Sequence, residues 1–193
     1  AFARLSPQPV LTIRSIDQGV EQTFRTYSSL DTFAQVGNAF SIAKAAFALA
    51  GFLPRFYGGR PYRTLADQLR AFGGGIELSL LAAVPKGSGL GTSSILAATL
   101  LGTLSDLCGL AWDRFDLFSR TLALEQLLTT GGGWQDQIGG LLPSVKLLET
   151  SPGLSQKPSV RWLPEELFSG VYANRSLLLY YTGLTRTAKS ILR

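Results

Sequence analysis

The sequence contains no histidine, and this absence removes several kinds of active site. Catalytic triads with a histidine base, histidine general acids and histidine metal ligands are all excluded. There is a single cysteine, Cys108, so a disulfide framework and zinc sites built from clustered cysteines are excluded as well. A reducing, cytoplasmic compartment is the simpler expectation for a chain with this cysteine content.

Methionine is also missing, although translation begins with methionine. The sequence is therefore expected to be a piece of a longer protein, truncated at both ends. The net charge is +5, but no run of Lys or Arg carries it, so nucleic-acid binding is not expected. A nucleotide or a sugar phosphate would suit this charge. Long uninterrupted apolar runs are missing too, and neither a membrane span nor a signal peptide is predicted.

Apolar residues, counted together with Tyr, Trp and Cys, make up 46% of the chain. This share is enough for a buried core. Alternating patterns predict a strand hairpin at 10–16 and 22–27, joined by a turn at 17–19. Further strands are predicted at 76–84, 145–149, 159–163 and 176–182. Helices are predicted at 37–52, 64–72, 95–107, 113–129 and 134–142, and from 185 onward. A chain that opens on a strand pair rather than a β-α-β unit indicates an α+β fold.

A glycine-rich stretch between the central strand and the helix at 95–107 is the first informative motif. It reads Pro85-Lys86-Gly87-Ser88-Gly89-Leu90-Gly91-Thr92-Ser93-Ser94 and is called the glycine loop below. Glycines let a backbone approach a ligand closely, and the free amides of a first helical turn attract anions. The neighbouring hydroxyls can cap the turn, bind phosphate oxygens or ligate a hard cation. The glycine loop therefore predicts a phosphate site, with a nucleotide as the favoured ligand.

Two better-known glycine motifs fit this stretch poorly. A Walker loop requires a lysine after its last glycine, and Thr92 follows Gly91. A dinucleotide fingerprint requires a different glycine spacing and an acidic residue at the end of a second strand. Asp106 stands at the right distance but inside a predicted helix. A tight turn that needs glycine only for its geometry is the remaining structural alternative.

Glu125 is the second informative residue, because it interrupts an apolar helix face. On a helical wheel it lies in the middle of a stripe formed by Phe115, Leu117, Phe118, Leu122, Leu124 and Leu128. A carboxylate buried there must be paired, protonated or bound to a cation, since an unpaired buried charge is strongly unfavourable. A salt bridge with an arginine is one interpretation. The other is a Mg²⁺ ligand that faces the glycine loop and shares the metal with phosphates.

The third motif is Gly131-Gly132-Gly133-Trp134-Gln135-Asp136-Gln137-Ile138-Gly139-Gly140. Glycines on both sides of Asp136 leave the backbone open to a ligand. A carboxylate placed in this way can orient or deprotonate a hydroxyl nucleophile in phosphoryl transfer, and Trp134 can pack on the face of a sugar. The structural alternatives are a helix cap for Asp136 and a core position for Trp134.

Together with Tyr181-Thr182-Gly183-Leu184-Thr185-Arg186, these stretches resemble the GHMP small-molecule kinases, and within them the L-fucose kinases. The resemblance runs from about Phe72 to the last residue. It implies one GHMP N-terminal, ATP-binding domain over 1–193, a two-layer α+β fold with a mixed sheet and helices on one face. It also implies that the C-terminal GHMP domain is missing, since the glycine motif of that domain is not in the sequence.

The function implied by the resemblance is transfer of a phosphoryl group from ATP, with Mg²⁺, to the anomeric hydroxyl of L-fucose. A kinase for heptose phosphate or another sugar stays open as an alternative, as does a nucleotide-binding fragment without turnover. The sequence motifs most resemble those in the kinase half of bifunctional enzymes. This resemblance implies a fused nucleotidyltransferase domain in the longer protein.

The resemblance also assigns roles to individual residues. The glycine loop from Lys86 to Ser94 matches the segment that wraps the ATP phosphates. Ser93 and Glu125 match the residues that hold Mg²⁺, and Asp136 matches the catalytic carboxylate beside the acceptor hydroxyl. Weaker matches to the sugar side are the residues Gly133, Trp134, Thr182 and Arg186.

Overall fold

The computed structural model describes residues 1–35, 38, 40–84, 88–128, 133–153, 157–178 and 180. The strands are β1 Phe2–Ser6, β2 Leu11–Ser15, β3 Val20–Phe24, β4 Gly75–Leu80, β5 Lys146–Glu149 and β6 Ser159–Trp162. The helices are α1 Tyr27–Leu30, α2 Ser41–Phe47, α3 Leu65–Phe72, α4 Thr92–Cys108, α5 Arg114–Leu127, α6 Gln135–Leu141 and α7 Gly170–Ser176. A π-helical turn at Ala48–Phe52 follows α2, and short 3₁₀ turns lie at Pro54–Phe56 and Glu165–Leu167.

Four strands form a mixed sheet in the order β1-β4-β2-β3. β2 and β4 run parallel, whereas β1 and β3 are antiparallel to their neighbours. On one face Ile13 lies opposite Leu78, and both are buried. On the other face Arg4 forms an exposed ion pair with Glu77. The sheet therefore has one apolar face under the helices and one charged face, which is the two-layer arrangement predicted from the resemblance.

Helix α4 is the centre of the helical layer. Its interior side chains are fully buried at Ala97, Leu100, Leu101 and Leu104, and it packs against α2, α5 and α6. The predicted buried helix is confirmed, but it begins three residues earlier than its apolar pattern, at Thr92. The hydroxyls of Thr92, Ser93 and Ser94 consequently lie in the first turn of α4, next to the helices that carry Glu125 and Asp136.

Helix α5 begins where the sequence predicts. The side chain of Asp113 accepts hydrogen bonds from the amides of Phe115 and Asp116, both at 2.8 Å, and so caps the first turn. The apolar stripe is less complete than the helical wheel predicts, because Phe115 is 60% exposed. The buried positions of α5 are Phe118, Thr121 and Leu124. This face directs the C-terminal half of α5 toward α4.

Several predicted boundaries need correction. The first strand, β1, was not predicted, because it is an edge strand whose Phe2 and Leu5 are both exposed and show no alternation. The helix predicted at 37–52 is α2 followed by the π-helical turn, in which Gly51 takes a φ of +94° that no helix can continue. The predicted strand at 76–84 ends earlier, at Leu80.

The prediction of a strand at 176–182 is wrong for the residues of this range that the structure describes. Ser176 is the last residue of α7, and Leu177 and Leu178 have no regular structure. Leu178 is 89% exposed, and the described residues place no strand beside it to form a ladder. The end of this segment and the helix predicted from 185 lie outside the described residues. In the ranges given above, none of the helices has the length and apolar character needed to cross a bilayer.

Candidate active site at the start of helix α4

The described part of the glycine loop, residues 88–94, leads directly into α4. Gly89 and Gly91 take φ angles of +77° and +66°, which other residues adopt only with strain. The first intrahelical hydrogen bond runs from the amide of Ile95 to the carbonyl of Gly91, at 3.0 Å. The amides of the preceding residues in the first turn therefore have no partner within the helix, as in helix N-termini that bind anions. Lys86 and Gly87 lie outside the described residues.

The hydroxyls of this segment differ in their surroundings. The Oγ of Ser88 and the Oγ1 of Thr92 are buried, and neither has a hydrogen-bond partner among the residues that the structure describes. Buried polar atoms are nearly always hydrogen-bonded in native proteins, so such atoms call for a partner such as a ligand oxygen. Ser93 is exposed, whereas Ser94 is only 5% exposed. The segment therefore has buried hydroxyls at Ser88, Thr92 and Ser94 and an exposed hydroxyl at Ser93.

Glu125 is held from two sides. Its Oε1 accepts a hydrogen bond from the hydroxyl of Ser94 on α4, and its Oε2 accepts one from Nε2 of Gln137 on α6, at 2.5 Å. Three helices therefore meet at one carboxylate. Both of these donors are neutral, so they orient the carboxylate without compensating its charge.

Asp136 lies close to Gly91, the N-cap residue of α4. It is exposed, and a Cβ atom built on Gly91 would lie 3.6 Å from its Cγ and 3.8 Å from its Oδ1. A helix-cap role does not apply, because α6 begins at Gln135, its N-cap position is Trp134, and Asp136 is already the second helical residue. Asp136 beside Gly91 and Glu125 beside Ser94 thus both border the first turn of α4.

A close approach between helices produces this arrangement. A Cβ atom built on Gly140 of α6 would lie 2.8 Å from Cγ1 of Ile95 on α4. Because glycine at position 140 lets the two helices come together, the start of α6 can reach the start of α4. Of the two glycines that follow Asp136 in the motif, Gly140 is thus needed for packing, whereas Gly139 has open space around it.

The structure brings together most of the residues that the sequence singles out: Ser88, Gly89, Leu90, Gly91, Thr92, Ser93, Ser94, Glu125 and Asp136. Trp134 is half-buried at the start of α6, and Gly133 before it is exposed. Thr182 and Arg186 lie outside the described residues, so their predicted roles stay predictions.

Two features of the site were not predicted. The serine that contacts Glu125 is Ser94 and not Ser93, because Ser94 faces the interior of the fold and Ser93 faces outward. Gln137 was assigned no role, although it stands directly after Asp136. Successive residues of a helix point about 100° apart, so an outward Asp136 places Gln137 on the inward side.

The donor set suits a hard cation that is shared with phosphates. Carboxylate and hydroxyl oxygens are the ligands that Mg²⁺ prefers, and protein sites often supply only one or two of them while substrate phosphates and water supply the rest. Glu125 and the hydroxyls of the first turn of α4 provide such oxygens. Among the described residues there is no group of three or more Asp, Glu, Cys or His that would form a protein-only metal site.

Comparison with known families agrees with this geometry. Residues 60–142 match the family described as GHMP kinases N terminal domain, and this range includes the glycine loop, Glu125 and Asp136. Residues 60–142 are therefore similar to a GHMP kinase N-terminal domain, and the resemblance predicted from the sequence is confirmed.

Two curated relatives are similar to this chain over more than 90% of its length. The chain is 57% identical over 182 residues to a protein of Bacteroides fragilis named L-fucokinase/L-fucose-1-P guanylyltransferase, covering 94% of this chain and 19% of the relative. It is 34% identical over 178 residues to an Arabidopsis thaliana protein named bifunctional fucokinase/GDP-fucose pyrophosphorylase, covering 91% of this chain and 16% of the relative. The chain thus spans less than a fifth of the length of these curated relatives.

Solved structures support the fold alone. A mevalonate kinase superposes with a TM-score of 0.62 at 11% identity, covering 85% of this chain and 46% of the kinase. The mevalonate kinase of Methanococcus jannaschii gives a TM-score of 0.59 at 9% identity, covering 84% of this chain and 44% of that one. The predicted fold class, a mixed sheet with helices on one face, is confirmed.

Proposed function

We propose that this chain is the ATP-binding part of a sugar kinase that phosphorylates the anomeric hydroxyl of L-fucose. The observation that carries the proposal is the meeting of two carboxylate side chains, Glu125 and Asp136, at the first turn of α4. Phosphoryl transfer needs a phosphate cradle, a metal ligand and a carboxylate at the nucleophile, and the glycines and two carboxylates at this turn would supply them. The choice of L-fucose rests on the names of the two relatives.

In this proposal the glycine loop binds the phosphates of ATP. The amides of the first turn of α4 point at the phosphate oxygens, and the positive end of the helix dipole adds to their attraction. Lys86 and the hydroxyls of Ser88 and Thr92 contribute further contacts, which would give the two buried hydroxyl oxygens their partners. These donors also stabilise the charge that develops on the transferring group.

Glu125 and the exposed Ser93 would hold Mg²⁺ beside the phosphates, with Ser94 keeping the carboxylate in place. When bound, the ion would neutralise part of the phosphate charge and orient the terminal phosphate. Both proposed ligands border the turn that binds the phosphates, so nucleotide and metal would share one site.

Asp136 would act on the acceptor. Its carboxylate orients the anomeric hydroxyl of the sugar and takes its proton as the oxygen attacks the γ-phosphorus. The new O–P bond forms as the bond between the γ-phosphorus and the bridging oxygen breaks, and ADP leaves with the electron pair. Trp134 and Gly133, directly before α6, would contact the sugar. We assign Thr182 and Arg186 to the same side, from the resemblance alone.

The setting of the reaction follows from the same relatives. Their names join the kinase to a guanylyltransferase or pyrophosphorylase, so we propose a nucleotidyltransferase domain elsewhere in the longer protein that consumes the sugar 1-phosphate.

We place the reaction in the cytoplasm. Burial raises the pKa of the free Cys108 thiol to about 11, so the thiol stays protonated and unreactive at neutral pH.

A sugar panel tests the proposed function. The full natural chain that contains this sequence is mixed with ATP, Mg²⁺ and one sugar at a time, and ADP and sugar phosphate are measured together. We expect one ADP and one L-fucose 1-phosphate per turnover with L-fucose. Product from a heptose phosphate but not from L-fucose would replace the proposed substrate, and no ADP from any sugar would contradict the kinase.

Gly89→Val tests the phosphate cradle. A Cβ on Gly89 would meet no atom of the described residues within 4 Å, so it would extend into the space proposed for the nucleotide, on a backbone with φ of +77°. We expect calorimetry to show at least about a tenfold loss of affinity for a non-hydrolysable ATP analogue.

Gly109→Val is the matched control for this variant. Gly109 ends the same helix with φ of +63° and equally open space, so it takes a similar backbone strain far from the cradle. Equal affinities in the two variants would mean that residue 89 does not approach the nucleotide.

A further inference from the structure

Gln137 is a buried polar residue for which neither the motif nor the proposed reaction supplies a role. Its side chain is 1% exposed and lies on the inward side of α6. Burying an amide is unfavourable unless its hydrogen bonds are made, and the next residue, Ile138, shows that an apolar side chain is tolerated on this face. A glutamine here therefore needs a reason.

The amide of Gln137 is committed to Glu125. Its Nε2 donates to Oε2 of Glu125 at 2.5 Å, while its own Oε1 is buried without a hydrogen-bond partner among the residues that the structure describes. Turning the amide over would bring its oxygen against the carboxylate, where two acceptors repel. The orientation thus keeps the bond to Glu125 although one acceptor of the amide lacks a protein partner.

Gln137 and Ser94 together fix the carboxylate in one plane. They donate to different oxygens of Glu125 and come from different helices, so neither oxygen can rotate without losing a bond. An arginine in their place would also fix the carboxylate but would cancel its negative charge. Ser94 and Gln137 are neutral donors, so they orient the carboxylate without adding a positive charge beside it.

We propose that Gln137 is a positioning residue that holds Glu125 in the orientation in which its carboxylate binds Mg²⁺. The inference rests on the proposed function and adds to it the role of Gln137, which orients the proposed metal ligand Glu125. Because Gln137 directly follows Asp136 on α6, a single helical turn sets both the metal ligand and the carboxylate at the acceptor.

Gln137→Met tests this role with little change in side-chain length. In the full natural chain, calorimetry measures binding of a non-hydrolysable ATP analogue with Mg²⁺ and with EDTA. We expect the affinity gained from Mg²⁺ to fall about tenfold, the size typical for loss of a partner that orients a metal ligand. Binding in EDTA should not change. In kinase assays kcat should fall and more Mg²⁺ should be needed, with the KM for sugar little changed.

Gln126→Met is the matched control, because Gln126 is adjacent to Glu125 on α5 but exposed. Gln137→Glu is a second variant that preserves the shape and replaces the donor with an acceptor, and it should weaken the Mg²⁺ effect at least as much. Thermal unfolding of each variant identifies any loss of fold. If Gln137→Met does not fold, Gln137→Glu carries the test.

A double-mutant cycle separates positioning from packing. If Gln137 acts through Glu125, then Gln137→Met should add little to the Mg²⁺ defect of Glu125→Gln. Fully additive losses, or a Gln137→Met variant that binds like Gln126→Met, would overturn the inference. Calorimetry needs no sugar, so a chain that binds the nucleotide with Mg²⁺ but phosphorylates no sugar would contradict the proposed function and leave this test intact.

Discussion

Replacing Asp136 with Asn is expected to lower kcat by about 10²–10⁴-fold while the affinity for ATP stays within about threefold. Asn keeps the size of the side chain and its hydrogen-bonding reach toward a sugar hydroxyl, but it cannot take a proton. Asp136 is exposed and is not the cap of α6, so the fold should not depend on its charge. Steady-state kinetics with varied sugar and ATP, together with calorimetric ATP binding, measures both effects.

Asp106→Asn provides the control for this change. Asp106 is exposed near the other end of α4, and the variant undergoes the same chemical substitution away from the proposed acceptor. It should keep full activity. If Asp136→Asn also keeps full activity, Asp136 does not act on the hydroxyl. If its loss appears as weaker ATP binding instead, the carboxylate serves the nucleotide and not the acceptor.

Replacing Glu125 with Gln is expected to raise the Mg²⁺ concentration for half-maximal activity by more than about tenfold. Loss of a direct metal ligand should exceed the loss of a residue that only orients one, which typically costs about 10–100-fold in metal affinity. The neutral amide can still accept a hydrogen bond from Ser94, so the helices that meet here should stay together. Mg²⁺ titrations at fixed ATP, repeated with Mn²⁺, measure the shift.

Glu149→Gln is the control, since Glu149 is exposed and belongs to the separate two-stranded sheet of β5 and β6. It should require no more Mg²⁺ than the unchanged protein. An unchanged Mg²⁺ requirement in Glu125→Gln, with normal folding, would mean that Glu125 joins the three helices without binding the metal.

The parts of the fold that local pattern determines could be predicted from the sequence. The hairpin of β2 and β3 is indicated by the alternation of β2, in which Leu11 and Ile13 are buried, and by the turn at Gly19. Helix α5 starts at a capping aspartate. The edge strand β1 could not be found in this way, because a strand that pairs on one side and exposes Phe2 needs no alternation. The end of α2 also depends on tertiary packing, because a π-helical turn replaces the regular helix that the residues favour.

The same distinction holds for the site. The sequence identifies Glu125 as a carboxylate on an apolar face and Asp136 as a carboxylate between glycines. Which of two neighbouring serines turns inward depends on how α4 rotates against α5, and that rotation is set by the packing of many side chains. For this reason the sequence did not show that Ser94 contacts Glu125, and the metal role that the resemblance gives Ser93 stays a prediction. Gln137 was missed for the same reason.

The central claim is that ATP binds with its phosphates on the first turn of α4, between Glu125 and Asp136. A crystal structure of the full natural chain with Mg²⁺ and a non-hydrolysable ATP analogue tests this claim most directly. The account predicts phosphate oxygens on the amides of residues 92–94, the metal ion in contact with Glu125, and the terminal phosphate facing Asp136. A nucleotide bound elsewhere, or a metal ion without contact to Glu125, would contradict it.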